Sequence, residues 1–294
     1  MTKRAAALVV FLGLVCTLLP IVGTPGAGVA APAMFGRVHE TFQPETGKIF
    51  VLAIGNDARS GNPDRSLADA IHILGINTKT MEAGVLNFPR DSWVNIPGYG
   101  SAKINEALIH GGPELLARTL ENLTGIRIDY WVMVGFEGFE DIIKKLGGVR
   151  MRIPTAVSDI GGSGAQLRAG VQTLKGYEAL AYARTRKAFV GGDVARTTHQ
   201  GDMLVALARK LRKETAKSPA AMLRWMALTR EHARFDIAAD EMFRLGILAS
   251  QVDPGDVGNV TVPVSLGSVG AASVVFISPG ASSIYERFRE NGSL

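Results

Sequence analysis

Residues 48–59 read KIFVLAIGNDAR. The apolar run from Ile49 to Ile54 is too short for a helix and stops at Gly55, the pattern of a strand buried on both faces. Asn56, Asp57 and Arg59 stand just past that stop. In open α/β sheets, ligands bind beyond the carboxyl ends of strands. A carboxylate and a guanidinium two residues apart at such a point suit a cation and a phosphate. A polar turn with Asp57 capping it fits the same spacing, so spacing alone leaves both open.

Outward from this strand the pattern alternates. Residues 70–76 and 83–88 are further strand candidates, and the polar stretch 77–82 between them predicts a hairpin. Residues 113–123 carry a proline at the start, apolar side chains at helical spacing and Gly125 at the end, which predicts a helix. Strand 130–134, helix 136–146 stopped by Gly147 and Gly148, and strand 149–153 follow. Residues 174–184 predict a short helix and 195–213 a long amphipathic one, with Met203, Leu204, Leu207 and Leu211 on one stripe. Helices over 220–231 and 240–250 and strands over 257–264 and 274–277 complete the reading. Alternating strands and helices make an α/β layered domain, and the hairpin makes its sheet mixed rather than parallel.

Toward the N-terminus, Lys3 and Arg4 precede an apolar stretch from Ala5 to Val22. Its length suits a signal-anchor or a cleaved secretory signal, and either exports the rest. The expected organisation is a signal segment over 1–31, a Gly/Pro/Ala-rich linker over 32–47 and one domain over 48–294. The 294 residues are 47% hydrophobic and 20% charged, as in a globular protein, with a net charge of +5 that favours anionic partners. Cys16 is the one cysteine, which rules out an internal disulfide and a thiolate zinc cluster in the domain.

Charged groups gather at the expected strand ends. Asp69 opens the strand after Asp57, and two carboxylates completed by phosphate oxygens suit Mg2+. Arg90-Asp91 follows the third strand; a surface ion pair fits as well. Lys103-Ile104-Asn105 precedes Gly111-Gly112-Pro113 at a helix start, which suits an anion or an ordinary cap. Arg184, Arg186 and Arg196 straddle the turn Gly191-Gly192-Asp193, with Gln200 one helical turn on. Arginine forks suit phosphate, though a solvated basic face has the same composition. The five histidines show no metal-ligand spacing, and His72 within a strand reads as core. Export and the lack of interleaved aromatics argue against nucleic acid.

Together these clusters resemble the LytR–CpsA–Psr family of cell-wall glycopolymer ligases. The matching segments are 54–59, 87–94 (NFPRDSWV), 103–113 (KINEALIHGGP), 147–149, 174–186 (LKGYEALAYARTR) and 192–200, in family order, within a motif core of 48–211. The resemblance implies a three-layer α-β-α domain outside the cytoplasmic membrane. It also implies an apolar pocket for a polyprenyl chain, with the pyrophosphate at its mouth. By the same resemblance, Asp57 and Asp69 would bind Mg2+. Arg59, Arg90, Arg184, Arg186 and Arg196 would bind phosphates, and Gln200 would contact the headgroup. Asp91 would orient Arg90 or take a proton. The expected reaction moves a glycopolymer from a polyprenyl-pyrophosphate carrier to peptidoglycan. Hydrolysis of the carrier, or lipid carriage without catalysis, are the alternatives. Two positions depart from the family pattern: Leu67 replaces an arginine, with Arg65 nearby, and His199 stands where an arginine is frequent. No further C-terminal domain is expected.

Overall fold

The computed structural model describes residues 33–37, 46–57, 66–235 and 239–294. The expected N-terminal apolar segment, Arg59 and Arg65 lie outside the described residues. Among those described, no helix is long and apolar enough to cross a membrane.

The first strand, β1 (Ala33–Arg37), falls within the stretch read as linker. Its Gly/Pro/Ala-rich surroundings hide it in the sequence; neighbouring backbones create it. The strand read from 49–54 is β2 (Lys48–Asn56), and the hairpin it predicts follows as β3 (Ala68–Asn77) and β4 (Ala83–Asn87). A small hairpin, β5 (Trp93–Ile96) and β6 (Gly100–Lys103), comes next, with no counterpart in the sequence reading.

Helix α1 (Glu106–Thr124) begins seven residues before the predicted start. Gly111 and Gly112 leave helical geometry inside it, and Pro113 restarts the helix, so the proline signal marks a real boundary within a longer element. Strand β7 (Tyr130–Gly135) and helix α2 (Phe136–Lys145) agree with their predictions to within a residue. The chain then lays down β8 (Val149–Ile153), β9 (Val157–Asp159), β10 (Ala165–Leu167) and β11 (Gly170–Leu174). Leu174 therefore closes a strand, and helix α3 (Gly176–Arg184) starts two residues later than read.

Helix α4 (Gly192–Lys217) is longer at both ends than predicted. It leads to α5 (Ala220–Glu231), β12 (Ala233–Phe235) and α6 (Ala239–Gln251). The predicted strand over 257–264 is two strands, β13 (Val257–Thr261) and β14 (Val264–Val269), because Val262-Pro263 interrupts the ladder. Strand β15 (Ala272–Ile277) and helix α7 (Ala281–Asn291) end the fold.

Seven strands form one mixed sheet in the order β12-β1-β7-β2-β3-β4-β13. Strand β2 lies parallel to β7 and antiparallel to β3, and β3 is antiparallel to β4. The carboxyl ends of β2, β4 and β7 and the start of β3 therefore share one edge. This is an α/β fold of three layers around a mixed central sheet.

The two faces of the sheet are covered unequally. On one, Leu52, Ile71, Ile73 and Leu86 are fully buried against Leu108, Leu116 and Leu120 of α1 and Phe288 of α7. On the other, alternate residues Val51, Leu74, Val132 and Val134 are only half-buried. Leu245 and Leu248 of α6 pack there against Ile49 and Tyr130, yet α6 has no fully buried residue. A second core under α3 and α4 joins Ile143, Val149, Met151, Leu174, Tyr182 and Met203.

Candidate functional site

The shared sheet edge opens into a cleft of about 350 Å³. Its walls include Asp57 beyond β2, Asp69 on β3, Arg90 beyond β4 and Phe136 beyond β7. Arg184 from the end of α3, Arg186, Lys187 and Arg196 of α4 close it from above, and Asp159, Gly162 and Ser163 form the remaining wall. Five cationic and three anionic side chains line it, an excess that suits a multiply charged anion.

The four arginines of the wall each have a partner. Arg90 Nη1 donates to Asp69 Oδ1. The Arg184 guanidinium lies 5.0 Å from the centre of the Phe136 ring, in cation–π contact. Asp193 is the hub: Arg196 Nη2 stands 2.9 Å from its Oδ1, Arg90 Nε 3.7 Å and Arg186 Nη1 3.8 Å. The turn before it bends through Gly191 (φ 97°) and Gly192 (φ 56°), a left-handed pair that a side chain would strain. That turn brings Arg186, in the loop after α3, beside Arg196 of α4.

Burial opposes the charge on Arg90, but Asp69, Asp193 and Asp91 outweigh it and raise its pKa. For Arg196 burial wins, and its pKa is lowered with Arg90 and Arg186 adding to the effect against Asp193. Buried Arg90 Nε, Arg196 Nε and Nη2 and both Asp193 oxygens make no well-aligned hydrogen bond. The Arg90 and Arg196 guanidinium groups thus keep donors in reserve beside the cleft, which phosphate oxygens would satisfy.

The structure brings Asp57, Asp69, Arg90, Arg184, Arg186 and Arg196 to one cleft. Two expected site residues stand elsewhere. Asp91 is not on the cleft wall and pairs with Lys103 Nζ at 3.0 Å, because the β5–β6 hairpin folds that lysine back beside it. Gln200 is also off the cleft wall: its Nε2 donates to the Ala183 carbonyl at 2.9 Å, tying α4 to the end of α3. His199 is packed between the rings of Tyr182 and Phe189, and burial lowers its pKa. His110 stacks on Tyr99. Neither histidine lines the cleft.

Sequence reasoning missed Asp193 as a hub and Phe136, Asp159, Ser163 and Lys187 as walls. Phe136 had a signal, since it follows a strand end as Asp57 does. Asp159 had none, because it enters from a short hairpin outside the main sheet.

Asp57, just past the end of β2, and Asp69, near the start of the adjacent β3, supply a carboxylate pair, and Asp69 has one oxygen engaged by Arg90. Among the described residues no group of three or more His, Cys, Asp or Glu is placed to hold a metal. The donors fit a hard cation completed by water and substrate phosphate, not a cage made of protein alone.

A family model described as the LytR_cpsA_psr family matches residues 32–287. The chain is 37% identical over 183 residues to the polyisoprenyl-teichoic acid–peptidoglycan teichoic acid transferase TagT of Bacillus subtilis, covering 59% of this chain and 56% of that one. It is 35% identical over 185 residues to the probable cell wall biosynthesis protein LcpB of Corynebacterium glutamicum, covering 58% and 43%. The chain thus spans about half the length of each. The solved structure of TagT bound to LI-WTA superposes with a TM-score of 0.71 at 26% identity, covering 86% of this chain and 94% of that one.

Proposed function

The chain belongs to the LytR–CpsA–Psr family, and from that premise we propose that it is an extracytoplasmic phosphotransferase. In this reading it moves a glycopolymer from a polyprenyl-pyrophosphate carrier onto peptidoglycan at the cytoplasmic membrane. The observation that carries it is the convergence of Arg90, Arg184, Arg186 and Arg196 with Asp57 and Asp69 at one sheet edge. The name of TagT, a teichoic acid transferase acting on a polyisoprenyl-linked substrate, supports it. So does the half-covered apolar face between the sheet and α6, whose Val51, Leu74, Val132 and Val134 offer apolar surface to a hydrocarbon chain.

Binding comes first. The pyrophosphate enters among the arginines, whose unused donors turn from Asp193 to phosphate oxygens. Arg186, with half its side chain in water, is free to follow the ligand, while Arg196 is fixed from beneath. Asp57 and Asp69 would hold Mg2+, which neutralises phosphate charge when bound. As the acceptor hydroxyl attacks the sugar-linked phosphorus, charge develops on the departing polyprenyl phosphate. The fixed arginines stabilise it more than they stabilise the ground state.

The test uses the full chain in proteoliposomes with a synthetic polyprenyl-pyrophosphate disaccharide and peptidoglycan fragments. Phosphodiester-linked product that needs Mg2+ and vanishes with EDTA is the expected result. Arg186→Ala should slow product formation roughly 100- to 1000-fold, as loss of one oxyanion donor does. Product with water alone would make the protein a hydrolase. Tight donor binding with no turnover would leave a carrier.

A further inference from the structure

A hydroxyl attacking phosphorus must lose its proton, and a base held in an ion pair is a weak one. The carboxylates around the cleft can be sorted by that criterion. Asp69 is engaged by Arg90. Asp193 faces Arg196, Arg90 and Arg186. Asp91 is tied to Lys103. Asp57 shares the proposed Mg2+ site with Asp69. Asp159 is left, and among the described residues it has no ion-pair partner.

Its setting is built. Asp159 ends β9, and the β9–β10 hairpin forms the cleft wall with Gly162 and Ser163. The Ser163 amide donates to Asp159 Oδ2 at 3.1 Å, which leaves Oδ1 without that bond and fixes the rotamer. Gly162 lies so close that a Cβ there would stand 2.4 Å from Oδ1, so no larger residue fits beneath the carboxylate. Ser163 Oγ and Thr185 Oγ1 are hydrogen-bonded at 2.7 Å and buried, and Thr185 sits between Arg184 and Arg186. The hairpin is thereby pinned to the phosphate-binding arginines, and Asp159 is held at a set place relative to them. Gly161, in the same turn, has nothing within 4 Å of where a Cβ would stand, so the turn is not packed over on that side.

We propose that Asp159 is the general base for the acceptor, accepting the hydroxyl proton as the acceptor oxygen bonds to the sugar-linked phosphorus. The bond from that phosphorus to the bridging oxygen breaks, and polyprenyl phosphate leaves with the electron pair. The proton stays on the Asp159 carboxyl and passes to water after release. The inference rests on the phosphotransferase reading.

The experiment compares wild type, Asp159→Asn, Asp159→Glu and Asp57→Asn as full chains in proteoliposomes, using the same synthetic donor and peptidoglycan fragments. Thermal melts establish that each variant is folded. Asp159→Asn should lower kcat about 100- to 10,000-fold, the range for loss of a general base. It should leave donor affinity and the Mg2+ requirement unchanged and remove the acidic limb of the pH–rate profile. Asp159→Glu should recover part of the rate and keep that limb. Asp57→Asn should instead raise the Mg2+ requirement. Asp159→Asn turning over within about threefold of wild type, or retaining the acidic limb, overturns the assignment. A loss of donor binding that accounts for the whole rate loss also overturns it, by showing a purely structural residue. Absence of transfer by wild type would sink the phosphotransferase reading itself, a separate outcome.

Discussion

At the residue scale, the same charge means different things at different depths. The Arg196 side chain is 4% exposed and that of Arg186 is 49% exposed, though both face Asp193. Removing the shared carboxylate leaves a buried guanidinium without its counter-charge, which costs about 3 kcal/mol or more. Asp193→Asn should therefore lower the urea midpoint measurably, while Arg186→Ala should lower activity and leave the midpoint almost unchanged. Equal stability losses in the two variants would contradict this account. His72 is a second case. Asn87 Nδ2 donates to Asn259 and Val260, so Asn87 Oδ1 must accept, and His72 Nδ1 donates to it at 2.7 Å. Burial, with Arg196 nearby, lowers the His72 pKa to about 4, against the hydrogen bonds of Asn87 and Gln200. The unfolded chain takes up that proton near pH 6.5 and the folded one only near pH 4. Stability should then fall as the pH drops through that window, by about 3 kcal/mol in all, and be unaffected above it. His72→Gln should flatten the slope of unfolding free energy against pH over the same window.

At the element scale, the site depends on joints between helices and hairpins. The Ser163–Thr185 pair joins the β9–β10 hairpin to the end of α3, and Thr185 also donates to the Ala181 carbonyl at 2.9 Å. Thr185→Val keeps the shape and leaves the Ser163 hydroxyl buried without that partner. A cost of about 1–3 kcal/mol in chemical denaturation is expected. Gln200 makes a comparable joint from α4 to the Ala183 carbonyl. Such joints explain how a motif residue that looks like a ligand contact can serve as a brace: the Gln200 Nε2 is used by the backbone at the end of the neighbouring helix.

At the scale of the whole molecule, the unequal covering of the sheet is the telling feature. One face is sealed by α1 and α7. On the other, α4 packs over β4 and β13, and the rest is loosely roofed by α6, whose Met242, Phe243, Leu245, Ile247 and Leu248 are all half-buried. Apolar area left half in water gains free energy when a hydrocarbon covers it, about 0.8 kcal/mol per buried CH2. Polyprenyl pyrophosphates of increasing length should raise Tm progressively until the space is filled. Leu248→Trp should abolish the gain from long chains and keep the response to a short-chain pyrophosphate. A Tm shift independent of chain length would remove the lipid from this face.

The sequence alone determined the strand over residues 49–54, the hairpin after it, the alternation that makes the fold α/β, and six of the charged residues that meet in the cleft. Those signals are local: an apolar run, a stop residue, a helical stripe and charges beyond strand ends. Strand β1 was invisible because its backbone is ordered by partners far along the chain, and the β9–β10 hairpin because its strands of three residues each are too short to carry a pattern. Packing between distant segments keeps Asp91 and Gln200 off the cleft wall, brings Asp159 onto it and sets Asp193 among its arginines. A side chain's charge is written in the sequence, but its partner is chosen by packing. Only the tertiary structure decides which carboxylate is spent on an arginine and which is left to take a proton.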